Sequence, residues 1–198
     1  LHFTIHSFPT RRSSDLHDQD QIDSPKDRGS PDPHIWLSPE LVKIQARNSY
    51  RGLVRLDPDH SPAYKANLDG FLKRLDRMQE TIHSILETLP EDRRSFLVFH
   101  PAWGYFAREF DLRQIPIQAE GKDPGPGQLA STIRHGREEA ISVIFVQPQF
   151  SDKSARVIAR ELGAEVAVLD PLADDWRDNL LKAAQAFRQA LEDRESVS

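Results

Sequence analysis

Four short apolar runs, SFLVF (Ser95 to Phe99), QIPIQ (Gln114 to Gln118), SVIFVQ (Ser142 to Gln147) and AEVAVLD (Ala164 to Asp170), alternate with helical segments over the second half of the chain. Each reads as a short buried strand. Between them, Ala102 to Phe110, Gly127 to Ala140 and Ser151 to Leu162 carry helical spacing, and a last helix from about Asp174 to Glu192 closes the pattern. Strand–helix alternation of this kind implies a parallel sheet covered on both faces, so the fold class is α/β. Ligands in such sheets bind beyond the carboxyl ends of the strands. The residues just past each run are therefore where chemistry is expected.

The first half reads as two helices. Ser38 is a good N-cap and Pro39 suits the first helical position, so a helix is expected from Pro39 to about Leu56. A second starts at the N-cap Ser61, with Pro62 behind it. Its apolar positions Tyr64, Leu68, Phe71, Leu75, Met78, Ile82, Ile85 and Leu89 are spaced alternately four and three, and Pro90 ends it. At 1.5 Å per residue a helix over 61–89 is roughly 40 Å long, which suits a strut joining two lobes; one arm of an α-hairpin is the alternative. The stretch HSFPTRRSSDL (His6 to Leu16) fits no secondary-structure pattern and reads like a translated sequencing adapter, so residues 1–16 are set aside as non-native.

Composition narrows the chemistry. With no cysteine among 198 residues there is no disulfide framework and no Cys-type zinc site, so any metal must be held by His, Asp or Glu. A net charge of −5 without a basic run argues against a nucleic-acid surface. No apolar run is long enough to span a bilayer.

Three residues stand out as candidate metal ligands. His34 lies in SPDPHIWLSPE between Pro33 and a capped helix start; Pro33 fixes its own φ, keeps Asp32 extended, and leaves Trp36 free to anchor the segment. His100 follows an apolar strand directly and precedes Pro101, and Asp170 does the same before Pro171. Two imidazoles and a carboxylate at proline-stiffened positions suit Zn2+, which accepts N and O ligands tetrahedrally at about 2.0–2.2 Å. Mn2+, more tolerant of oxygen, is the alternative. The competing role for each is a helix cap or a satisfied strand-end polar group. Other features carry less. EGKDPGPGQL (Glu120 to Leu129) lacks the G-K-[ST] ending of a P-loop and reads as a loop. Trp103, Tyr105 and Phe106 read as core or inter-lobe packing, with the shaping of a cleft as the alternative, and His60, His83 and His135 as solvated surface. Asp174 and Asp175 read as the first turn of a helix, and His17 with Asp18, Asp20 and Asp23 as a loose cation attractor.

The motifs DPHIWLSPE, LDPDHSPAYKANLDGF, FHPAWGYFAREFDLRQIPIQAEGKDP and IFVQPQFSDKSARVIARELGAEVAVLDPLADDW run in this order from Asp32 to about Leu181. Together they resemble the zinc/manganese class of solute-binding proteins that feed ABC importers. The resemblance implies two α/β lobes joined by one rigid helix, with the metal in the cleft between them: a remnant of the amino-terminal lobe with a polar loop over 17–60, the connecting helix over 61–89, and a carboxyl-terminal α/β lobe over 94–198. It places the family's second, third and fourth ligands on His34, His100 and Asp170. A histidine at the third position resembles zinc carriers, whereas manganese members tend to place a glutamate there. Nothing in the sequence matches the family's first histidine, its opening strands and helices or its export signal, so the chain is expected to be the latter part of a longer protein. The function implied is capture of Zn2+, with Mn2+ as the alternative, in the periplasm or another extracytoplasmic space. Delivery would be to the membrane permease of an ABC importer, by a carrier that is monomeric when complete and does no bond-making chemistry. A zinc-dependent hydrolase built on the same three residues, and a surface adhesin of the same family, are the rival readings.

Overall fold

The computed structural model describes residues 32–118 and 123–192. The adapter-like segment, the polar loop through Pro31, His17 and Glu120 lie outside them. The four expected strands form as β1 (Ser95–Val98), β2 (Arg113–Pro116), β3 (Val143–Val146) and β4 (Glu165–Val168). They make one all-parallel sheet in the order β2-β1-β3-β4. Around it lie α1 (Pro39–Leu56), α2 (Ser61–Leu86), α3 (Gly104–Glu109), α4 (Pro126–Glu138), α5 (Lys153–Leu162) and α6 (Trp176–Glu192).

Successive side chains of a strand face opposite ways, and in the central strands β1 and β3 both faces are buried. Phe96, Val98, Val143 and Phe145 point into one core with α2, α3 and α6; Leu97, Ile144 and Val146 point into the other with Ala155 and Ile158 of α5 and with Ile133 of α4. That double burial is why the SFLVF and SVIFVQ runs show no polar alternation. Phe187 of α6 is the hub of the first core. Its ring centroid lies 4.6 Å from those of Phe96 and Phe145, 5.6 Å from Phe106 and 6.0 Å from Trp103. Trp103 and Phe106 are thus packing residues, as expected.

The α1–α2 pair is an antiparallel hairpin turned at Asp57–His60. Lys43, near the start of α1, donates to Asp76 Oδ1 (2.7 Å) and Gln79 Oε1 (2.6 Å) far along α2. The apolar stripe of α2 divides between two partners. Tyr64, Leu68 and Phe71 face α1 and, with Tyr50 and Leu53, line an open groove; Leu75, Met78, Ile82 and Leu86 are buried in the sheet core. The helix stops at Leu86, short of the expected Leu89, because Arg94 takes over its capping. One guanidinium nitrogen donates to the carbonyls of Leu86 (3.3 Å) and Leu89 (3.0 Å), and the other to those of Phe110 (3.4 Å) and Asp111 (3.2 Å) beyond α3.

His135 departs from expectation. Its side chain is 21% exposed rather than solvated, and its Nε2 has no hydrogen-bond partner among the described residues. The neighbouring Gly136 has no side chain to hold α4 off Leu162 and Leu97, so that helix sits close to the sheet and draws His135 in. Among the described residues no helix is long and apolar enough to cross a membrane.

Candidate metal centre

His100 is held by its main chain as much as by its ring. Past the end of β3, Gln147 brackets it: His100 N–H donates to Gln147 Oε1 (3.2 Å), and Gln147 Nε2 donates to the His100 carbonyl (2.6 Å). Gln147 is 2% exposed, and its amide continues the β1–β3 pairing by one step where the backbone ladder has ended. The imidazole stacks on Phe150, with centroids 5.0 Å apart and planes at 27°, and its Nδ1 lies 3.0 Å from Gln118 Oε1.

His34 precedes a 3-10 turn at Ile35–Leu37. Asp32 Oδ1 accepts from the His34 backbone N–H (3.0 Å) and lies 2.7 Å from its Nδ1. Asp32 thus does more than sit extended before Pro33. The segment is fastened at several points. Tyr105 Oη donates to the Asp32 carbonyl (3.1 Å), Trp36 Nε1 donates to the Pro171 carbonyl (2.9 Å), and Trp176 Nε1 donates to the Trp36 carbonyl (2.7 Å). Ser38 caps α1 by accepting from Leu41 N–H (3.2 Å) and also donates to Glu109 Oε2.

Glu109 gathers this end of the hairpin, taking further bonds from the Glu40 backbone N–H (3.3 Å) and Gln79 Nε2 (2.9 Å). Burial raises its pKa above the ordinary carboxylate range, against the opposing pull of the Ser38, Glu40 and Gln79 donors. For Lys43, desolvation would lower the pKa, but the Asp76 and Glu40 carboxylates together outweigh it and hold the ammonium above its usual value.

The structure brings two of the three candidate ligands together. The His34 and His100 ring centroids are 5.3 Å apart, with planes at 75°. With Zn–N bonds of about 2.0–2.1 Å, two imidazoles at a tetrahedral angle have centroids about 5 Å apart. Since each ring is engaged through Nδ1, Nε2 is the nitrogen each can offer an ion. Asp170 stands on the adjacent loop, one residue from the carbonyl that Trp36 binds. Its Oδ1 accepts from Gln149 Nε2 (2.8 Å) and Leu172 N–H (2.9 Å), and its carbonyl accepts from Asn179 Nδ2 (2.7 Å). Among the described residues no three His, Asp or Glu side chains stand close enough to share one ion. The expected trio is therefore a histidine pair with a carboxylate beside it, hydrogen-bonded elsewhere. Of the other candidates, Asp175 caps α6 by accepting from Asp178 N–H (3.2 Å), and His60 pairs with Asp57 at the hairpin corner (2.9 Å).

Comparison with known proteins agrees with this architecture. The chain is 31% identical over 143 residues to the high-affinity zinc uptake system protein ZnuA of Bacillus subtilis (strain 168), a match covering 71% of this chain and 44% of that protein. It superposes on a crystal structure of ZnuA with a TM-score of 0.76 at 48% identity, covering 81% of this chain and 62% of the other. It also superposes on a mutant of the laminin-binding adhesin Lmb of Streptococcus agalactiae, with a TM-score of 0.74 at 28% identity, covering 84% and 67%. The chain spans about half the length of the curated relatives it matches. The family model described as zinc-uptake complex component A, periplasmic, matches residues 5–191, and the chain belongs to that family.

Proposed function

We propose that the protein captures a divalent transition metal, zinc first, outside the cytoplasm and hands it to the membrane permease of an ABC importer. The observation that carries this reading is the His34–His100 pair, two rings spaced for one ion and each held through Nδ1. His34 and His100 would supply two nitrogen ligands. Asp170 would supply an oxygen once its carboxylate turns from Gln149, and the remaining position would fall to a residue outside the described ones or to water. Supporting zinc over manganese is the nitrogen-rich pair, since imidazole suits zinc better than it suits a hard, oxygen-preferring ion. On this reading the connecting helix is α2, with the lobe carrying the sheet on one side of it. The chemistry is reversible coordination, and the family is one of solute-binding proteins rather than enzymes.

Zinc titration against a competing chelator tests the proposal, with His34→Ala, His100→Ala and Asp170→Ala beside the parent. One ion per chain, with affinity lost most in the two histidine variants, is expected. An unchanged affinity in both histidine variants would refute it. The likeness to an adhesin supports a second reading, attachment to laminin; laminin capture by a chain lacking both histidines would favour that reading over metal carriage.

A further inference from the structure

Resting on the capture reading, we propose that Gln118 is a positioning residue that, together with Asp32, grades the two imidazoles, so that His34 is the firmer ligand and His100 the first to let go. Gln118 is placed by the sheet. Its backbone N–H donates to the Phe99 carbonyl (2.9 Å), it is 6% exposed, and its Oε1 lies 3.0 Å from His100 Nδ1. An amide oxygen only accepts. The proton of the neutral ring must then be on Nδ1, which leaves the Nε2 lone pair for a metal. Loss of this partner would let the ring exchange tautomers, and in one of them Nε2 carries a hydrogen and cannot coordinate.

His34 is backed differently. Its Nδ1 faces Asp32 Oδ1 at 2.7 Å, and a carboxylate acceptor draws on the Nδ1 proton and makes Nε2 a stronger donor. The neutral amide behind His100 orients the ring without that gain. All else about His100 is fixed, since Gln147 clamps its peptide and Phe150 holds its plane. The acceptor at Nδ1 is therefore what sets its strength as a ligand. A carrier that must surrender its cargo gains a defined first step of release from two ligands of unequal strength.

The test uses the full chain and zinc alone as the probe. Long-range 15N–1H NMR reads the His100 tautomer in metal-free protein, and release of zinc to excess chelator is followed by stopped flow in the parent, Gln118→Met and Gln118→Glu. Expected results are an Nδ1–H ring in the parent, a mixed tautomer with roughly 10–100-fold weaker zinc binding in Gln118→Met, and an Nδ1–H ring with slower release than the parent in Gln118→Glu. An Nε2–H ring in the parent overturns the proposal. So does an unaltered tautomer and affinity in Gln118→Met, or release from Gln118→Glu as fast as from the parent. Failure of the parent to bind zinc would instead refute the capture reading, with the tautomer still deciding the role of Gln118.

Discussion

Two glycines inside helices should respond to alanine with opposite sign. At Gly136 in α4, an added Cβ would lie 2.6 Å from Leu162 Cδ1, 3.3 Å from Leu162 Cδ2 and 3.5 Å from Leu97 Cδ1. Carbon atoms pack at about 3.5–4.0 Å, so the Leu162 isopropyl group must retreat as a whole. Leu162, at the end of α5, is only partly buried, so its retreat is open on the solvent side but hindered on the inner side, where Leu97 of the same cluster is fully buried. Helix propensity favours alanine by about 1 kcal/mol, while overpacking a contact of this kind costs about 1–3 kcal/mol. The balance for Gly136→Ala is a loss of about 1 kcal/mol, or about 2–4 °C in Tm for a chain of this size. At Gly70 in α2 the new methyl would meet only Arg74 Nη1 at 3.6 Å, an ordinary contact. Gly70→Ala should therefore stabilise by about 0.5–1 kcal/mol. Thermal and urea unfolding followed by circular dichroism measure both, and Leu162→Ala combined with Gly136→Ala isolates the contact through the double-mutant cycle. If Gly136→Ala stabilised as much as Gly70→Ala, or its cost persisted in the Leu162→Ala background, the steric reasoning would be wrong.

Trp176→Phe removes the donor to the Trp36 carbonyl; a stability loss of about 1 kcal/mol should come with several-fold weaker zinc binding, and chelator titration showing intact affinity would mean that this bond does not position His34. Because burial raises the Glu109 pKa, the folded chain holds that proton more tightly than the unfolded chain. The stability this confers is complete below the usual carboxylate range and is lost as pH climbs through the raised value. Urea unfolding from acid to neutral pH should show that component in the parent and not in Glu109→Gln; parallel profiles would exclude it. Zinc affinity should fall on acidification, since imidazoles must be neutral to coordinate, and titrations giving a flat pH profile would remove histidine from the coordination sphere.

The elements were readable because burial wrote them into the sequence. Strands covered on both faces leave unbroken apolar runs, and the proline after His100 and after Asp170 marked where each chain segment leaves the sheet. Trp36 was legible as an anchor for His34 and does bind the Pro171 carbonyl. The partners of the site residues were not legible. Gln118 lies 18 positions from His100 and Gln147 lies 47, and neither distance leaves a local pattern. Gln149, which engages the Asp170 carboxylate, looks like any loop residue. Asp32 had a signal that could have been used, an aspartate two residues ahead of a histidine with proline between, which is the spacing of a side-chain-closed turn. The end of α2 was misplaced because the group that caps it, Arg94, belongs to the following segment.

The fastening of residues 32–38 has a topological consequence. His34 belongs by chain order to the hairpin, yet Tyr105, Trp176, Glu109 and the Pro171 carbonyl grip its segment without covalent help. The corner at Pro58–His60 is exposed and away from those bonds. A protease cutting there would leave two pieces that still fit, and the pieces made separately are candidates for reassembly as a split protein. Continuity of the chain would then serve mainly to keep the His34 arm near its seat, at the millimolar effective concentration that a short tether provides.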